Sequence, residues 1–203
     1  MDFGQLCVYE QDNLRFKNQK AHVIFFGDSI TQFWKVQDPS LFADESVHLN
    51  RGISGQTTSQ MLVRFKNDVL DLNPDVVHIM AGTNDIAGNT GPITLERIQK
   101  NIRSIVEQAE AHHIKVIVGS VLPATRFDWS RTVLHPEVQI QALNAWLKAY
   151  AVQFKATYVD YHSAMTDGVG GLPSSLSGDG VHPNSAGYAV MKPLLLKALG
   201  ESK

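Results

Sequence analysis

The sequence predicts a flavodoxin-like, doubly wound α/β fold with helices on both faces of a five-stranded parallel sheet. Short apolar runs alternate with longer segments of helical period, the runs number five, and each is followed by small or polar residues that suit a turn. Strands that alternate with helices imply right-handed crossovers, so the sheet is parallel and covered on both sides. The strand order expected for such a chain is 2-1-3-4-5.

The expected strands are "HVIFFG" (22–27), "SVHLNRG" (46–52), "PDVVHIMAG" (74–82), "KVIVGSVLP" (115–123) and "ATYVDYHSA" (156–164). Between the third and fourth, Leu95, Ile98, Ile102, Ile105 and Ala109 recur at three- and four-residue steps, which puts them on one face of a helix over 94–113. Similar spacing predicts helices over 58–72 and 137–154, and a last one from Ala186 to Leu199. Pro193 lacks the N–H that a helix interior needs, so that helix is expected to kink or to divide into two pieces. The stretch nearest to a linker, "TDGVGGLPSSLSGDG" (166–180), lies too close to the end to separate domains, so residues 1–203 are read as one domain.

Composition narrows the function classes. Of 203 residues, 43% are hydrophobic and 19% charged, a balance that fills a core and stays soluble. A net charge of -2 without a basic cluster argues against a nucleic-acid partner. Cys7 is the sole cysteine, which rules out an internal disulfide and a Cys-rich metal site. No apolar run reaches the roughly 20 residues that a membrane span needs. "MDFGQLCVYEQDNLRF" does not read as a signal peptide, so either a cytoplasmic protein or a secreted one with its signal removed is compatible. The eight histidines show no H-x-x-x-H or H-x-H pair with supporting acids, and neither a metal nor another cofactor is expected. Oligomeric state leaves no mark in this pattern.

In open α/β sheets ligands bind beyond the carboxyl ends of the strands. Gly27-Asp28-Ser29 follows the first strand, "NRGISGQTTS" (50–59) the second and "GTND" (82–85) the third; "GDGVHPN" (178–184) lies beyond the fifth. Each has a bland reading. Ser29 alone suits a helix cap, Asn84 an Asx-turn, Gly52 and Gly55 turns of positive φ, and His182 a surface loop before Pro183. Together they form the inventory of a serine hydrolase. His182 can take the Ser29 proton, and Asp179 can fix the imidazole tautomer across the turn made by Gly180 and Pro183. The Ser29 N–H, an N–H in the glycine turn and the Asn84 amide can meet a developing oxyanion, where one donor is worth roughly 10²–10³ in rate.

These motifs resemble those of the SGNH hydrolases, the GDSL esterase/lipase family. "GDSI", "GISG", "GTND" and "DGVHPN" match its four blocks in order and span residues 27 to 184. The resemblance implies Ser29 as nucleophile, His182 as base, Asp179 as acid, and Asn84 with Gly55, ahead of Gly52, as oxyanion donors. Ile30 stands where the family more often has Leu. An α/β-hydrolase elbow is excluded because Gly27-Asp28-Ser29-Ile30-Thr31 lacks the second glycine of G-x-S-x-G. A phosphatase built on Asp28 would want a second acid at position 30, which is Ile30. His162, the rival base, has Val159 where an acid would stand.

The loop "ATRFDWSRTVLHP" (124–136) is expected to wall the site, with Trp129 and Phe127 as substrate contacts, and Phe33 and Trp34 are expected to divide between core and wall. With no segment for a lid, the site should be open. The expected activity is hydrolysis of short acyl esters, acetyl foremost, on small molecules such as acetylated carbohydrates. A lysophospholipase, a thioesterase or a platelet-activating-factor-type acetylhydrolase would use the same groups. The reading from another class, a non-catalytic module that binds phosphate or nucleotide at the helix start, leaves Asn84, Asp179 and His182 unused.

Overall fold

The structure is a computed structural model that describes residues 1–16 and 19–201. Five strands, β1 (Val23–Gly27), β2 (His48–Gly52), β3 (Val76–Met80), β4 (Lys115–Gly119) and β5 (Thr157–Val159), form one parallel sheet in the order β2-β1-β3-β4-β5. Gly27 pairs with both Gly52 and Met80, so the chain leaves three neighbouring strands at one level.

Side chains alternate across a strand, and here the alternation divides the core in two. Ile24, Phe26, Val77, Ile79, Val116 and Val118 belong to one apolar cluster, with residues of α3 (Thr58–Asp68), α5 (Leu95–Ala111) and α6 (Pro136–Gln153). Val23, Phe25, Val76 and Ile117 belong to the other, with residues of α2 (Ser29–Gln37), α7 (Tyr161–Met165) and α8 (Ser185–Leu199). In α5 the stripe expected from spacing is the buried one: Ile98, Ile102, Ile105 and Ala109 all lie inside, and Thr94 caps the start by accepting from the Arg97 N–H.

Three elements differ from expectation. The fifth strand stops at Val159, because the Asp160 side chain accepts from the Ser163 N–H and starts α7. The helix over 58–72 ends at Asp68, and a 3₁₀ turn, Leu70–Leu72, follows it. Pro193 does not divide α8, which runs as one helix with Tyr188, Met191, Leu195 and Leu196 buried on both sides of the proline. Packing of that face outweighs the missing hydrogen bond.

Two further helices lack an obvious apolar stripe. In α1 (Cys7–Phe16) only Phe16 is buried, and polar anchors dock the helix: the Tyr9 hydroxyl donates to Gly52 O, and Asp12 and Asn13 meet Arg51. The other, α4 (Thr83–Ile86), is a single turn after β3.

Arg64 of α3 is fully buried beneath the ends of β1 and β2. Its guanidinium donates to Gly27 O at 2.8 Å, Arg51 O at 2.9 Å, Gln56 Oε1 at 2.5 Å and Asp68 Oδ2 at 2.9 Å. Removing one member of a buried pair strands the other charge and costs about 3–5 kcal/mol. We therefore expect Arg64→Ala to lower the urea-unfolding free energy by about that amount; a loss under about 1 kcal/mol would assign the brace no energetic role.

Candidate active site

Asp28 follows β1 and caps α2 by accepting from the Ile30 N–H at 2.9 Å, which makes Ser29 the first residue of the helix. Ser29 is thus cap-adjacent, with its backbone N–H at the positive end of the helix dipole. Its Oγ lies 2.9 Å from His182 Nε2. His182 Nδ1 lies 2.6 Å from Asp179 Oδ2. Asp179 Oδ1 is held by the backbone N–H groups of Val181 and His182 and by the Ser177 hydroxyl, so the carboxylate has a fixed orientation. Partial burial pushes its pKa up, but the hydrogen bonds from the His182 side chain and from two backbone N–H groups outweigh that and hold it at about 2. The His182 ring itself lies between Phe33, at a centroid distance of 5.5 Å, and Trp129, at 6.1 Å.

The glycine turn after β2 faces the same place. Gly52 N–H is taken by Asn50 Oδ1, and a Cβ on Gly52 would lie 2.2 Å from Gln32 N, so this glycine permits α2 to approach β2. Gly55 has φ of +77°, a backbone region that favours glycine. Among the described residues, no acceptor meets the N–H of Ser29 or of Gly55. Ser54 ties the turn to α2 through Gln32 Oε1.

Asn84, in α4, donates from Nδ2 to Gln56 O at 3.0 Å and to Asp28 Oδ2 at 3.2 Å. Both N–H groups of its amide are therefore engaged, the longer bond going to Asp28, the cap residue that precedes Ser29. Asp85 turns the other way and grips the start of α3, accepting from the Thr58 N–H and hydroxyl. Asp85 and Gln56, which the motif reading leaves without a role, hold this geometry together.

Trp129 is half exposed and donates from Nε1 to Asn89 Oδ1 at 3.0 Å. Phe127 is buried, with a ring centroid 5.2 Å from that of Trp129, so it backs the wall and offers a substrate no surface. Phe33 is exposed and Trp34 is buried, the division expected from sequence. His162 sits in α7, where its N–H donates to Ser120 Oγ; the hydroxyl of Ser29 faces His182 instead. A cavity of about 490 Å³ opens beside Gly55, lined by Gln5, Ser54, Gln60, Asn89, Trp129 and Ser130 among others.

The profile of the GDSL-like lipase/acylhydrolase family matches residues 25–190, which contain all of these side chains except Gln5. The chain belongs to that family. It is similar over 98% of both chains, with 40% identity and a TM-score of 0.93, to the crystal structure of a GDSL-like lipase from Bacteroides thetaiotaomicron. It is 26% identical to an acetylxylan esterase of Geobacillus stearothermophilus over 161 residues, 75% of this chain and 71% of that one. A match at 40% identity to an uncharacterized lipoprotein of Bacillus subtilis is shorter, 78 residues, and the chain spans 32% of that relative's length. A GDSL-family chain of this kind is a hydrolase with esterase relatives. No helix among its described residues is long and apolar enough to cross a membrane.

Burial pushes the Asp28 carboxyl up to about 6, against the pull of the Ile30 N–H and of His182. The folded state thus holds a proton on Asp28 up to about pH 6, whereas the unfolded chain releases it near the ordinary aspartate value of 3.8. Between those values the folded form binds more protons, so this group's contribution to stability falls as pH rises. Relative to Asp28→Asn, the wild type should lose stability from pH 4 to pH 6.5, measured as urea midpoints. A constant difference across that interval would contradict the assignment.

Proposed function

We propose that this hydrolase is a serine esterase that works through an acyl-enzyme on short acyl groups, acetyl foremost. The observation that carries the proposal is the continuous chain from Ser29 Oγ to His182 Nε2 at 2.9 Å and from His182 Nδ1 to Asp179 Oδ2 at 2.6 Å. In this reading Ser29 Oγ attacks the ester carbonyl carbon while its proton passes to His182 Nε2. Asp179 holds the Nδ1 proton and stabilises the imidazolium. The carbonyl oxygen, now an anion, is met by the N–H groups of Ser29 and Gly55. Asn84 Nδ2 joins them by sharing the hydrogen it directs at Asp28. Collapse of the intermediate expels the alcohol, which takes the proton from His182. Water then repeats the sequence on the acyl-enzyme and releases the acid.

Gly55 is favoured over Gly52 because its N–H has no acceptor among the described residues, while Gly52 N–H is committed to Asn50. The alcohol side of the substrate is read from the neighbouring cavity. Gln5, Ser54 and Gln60 offer amides and a hydroxyl, and Trp129 offers a half-exposed indole, a combination that suits a polyhydroxylated ring better than an alkyl chain. The similarity to an acetylxylan esterase supports an acetylated carbohydrate. The phosphate-binding alternative is not favoured, since the Ser29 hydroxyl is already paired with an imidazole.

A series of p-nitrophenyl esters from acetate to decanoate, with Ser29→Ala as control, tests this. We expect kcat/KM to fall about tenfold or more from two carbons to ten, and Ser29→Ala to lose on the order of 10⁴ or more in kcat. Faster turnover of the ten-carbon ester would contradict the short-chain assignment.

A further inference from the structure

Asn89 lies outside the four motif blocks, yet its amide touches three parts of the site. Its Nδ2 donates to Asn84 Oδ1 at 2.8 Å and to Gly55 O at 3.1 Å. Its Oδ1 accepts from Trp129 Nε1 at 3.0 Å. Its own N–H donates to Asn84 O at 3.0 Å, which fixes Asn89 on the turn that ends α4. Both N–H donors and the carbonyl oxygen of one small side chain are therefore directed at the two oxyanion elements and at the aromatic wall.

The bonds have directional consequences. An Asn amide is planar, so holding its Oδ1 sets where its Nδ2 points; Asn89 thereby fixes the Asn84 donor. Gly55 has φ of +77° and no side chain, and a Cβ there would meet nothing nearer than Asn89 Nδ2 at 3.9 Å. Anchoring its carbonyl restricts the one residue of the turn freest to rotate, whose N–H is the second donor. On the other side, the bond to Trp129 holds the indole against the His182 ring.

We propose that Asn89 is a positioning residue that locks the Gly55 and Asn84 donors to each other and couples them to the Trp129 wall. A substrate pressing on Trp129 is then felt at the oxyanion donors through one side chain. The inference rests on the serine-esterase reading and adds to it a specific connection between binding wall and reactive centre. Because Asn89 touches no reacting atom, its loss should act on kcat. Misplacement of donors weakens transition-state binding more than ground-state binding.

The test is a cycle of Asn89→Ala, Trp129→Phe and the double variant, with p-nitrophenyl acetate as substrate and Ser29→Ala as control. Trp129→Phe keeps a ring and loses the N–H. We expect Asn89→Ala to lower kcat about tenfold with KM within about twofold. Trp129→Phe should lower kcat about threefold in the wild-type background and not further in Asn89→Ala, the non-additivity that a shared bond requires. If Asn89→Ala does not fold, Asn89→Leu, which fills a similar volume and has neither donor nor acceptor, takes its place in the cycle with the same expected outcome. A kcat within twofold of wild type in the Asn89 variant, or a Trp129→Phe effect equal in both backgrounds, overturns the inference while Ser29-dependent turnover stands. Turnover that survives Ser29→Ala overturns the esterase reading and this inference together.

Discussion

Arg64 carries a guanidinium into the space under the carboxyl ends of β1 and β2, where it meets Gly27 O, Arg51 O, Gln56 and Asp68 and lies 4.2 Å from the centroid of the Phe26 ring. A cation at this depth loses its water and persists only when acceptors and a countercharge replace it. Three of the four acceptors belong to segments that lead to the site, and Asp68 supplies the countercharge. Gly27 precedes the Ser29 turn, Arg51 precedes the glycine turn, and the Gln56 carbonyl holds Asn84. The brace thus ties the ends of both strands into one fixed platform.

On that platform the acids have distinct tasks set by their surroundings. Asp179 has several donors, half-exposed surroundings and a pKa held at about 2. Asp28, in contrast, is buried as a helix cap, and burial pushes it to about 6. Asp85 is buried too, its pKa raised by burial against the bonds from Thr58, and it ties α4 to α3. One acid orients an imidazole; the other two hold backbone. The same residue type serves each task because hydrogen bonds and burial, rather than the carboxyl itself, decide its charge.

The parallel sheet and its order were legible in the sequence because apolar runs in a doubly wound fold are buried on both faces and stand out from their surroundings. The side chains around Ser29 were legible because their motifs sit at strand ends, where the topology brings them to one edge. Polar contact was not. The α1 helix carries no apolar stripe and is held by Tyr9, Asp12 and Asn13, whose partners lie far away in sequence. By sequence Val159 falls inside a strand, because Asp160 resembles any polar residue and only its bond to Ser163 marks the helix start. Phe127 and Trp129 have similar hydrophobicity, and only packing tells the buried ring from the wall. Asn89 could have been noticed in the turn "GNTG", but its partners could not.

The central claim is that Ser29 is activated by its neighbours. Intact-mass analysis after treatment with a fluorophosphonate probe tests it directly, on the wild type and on His182→Ala. The account requires a single phosphonyl adduct that maps to Ser29 and forms far more slowly in His182→Ala. A well-folded wild type that takes up no adduct, or takes it up at another residue, would contradict it.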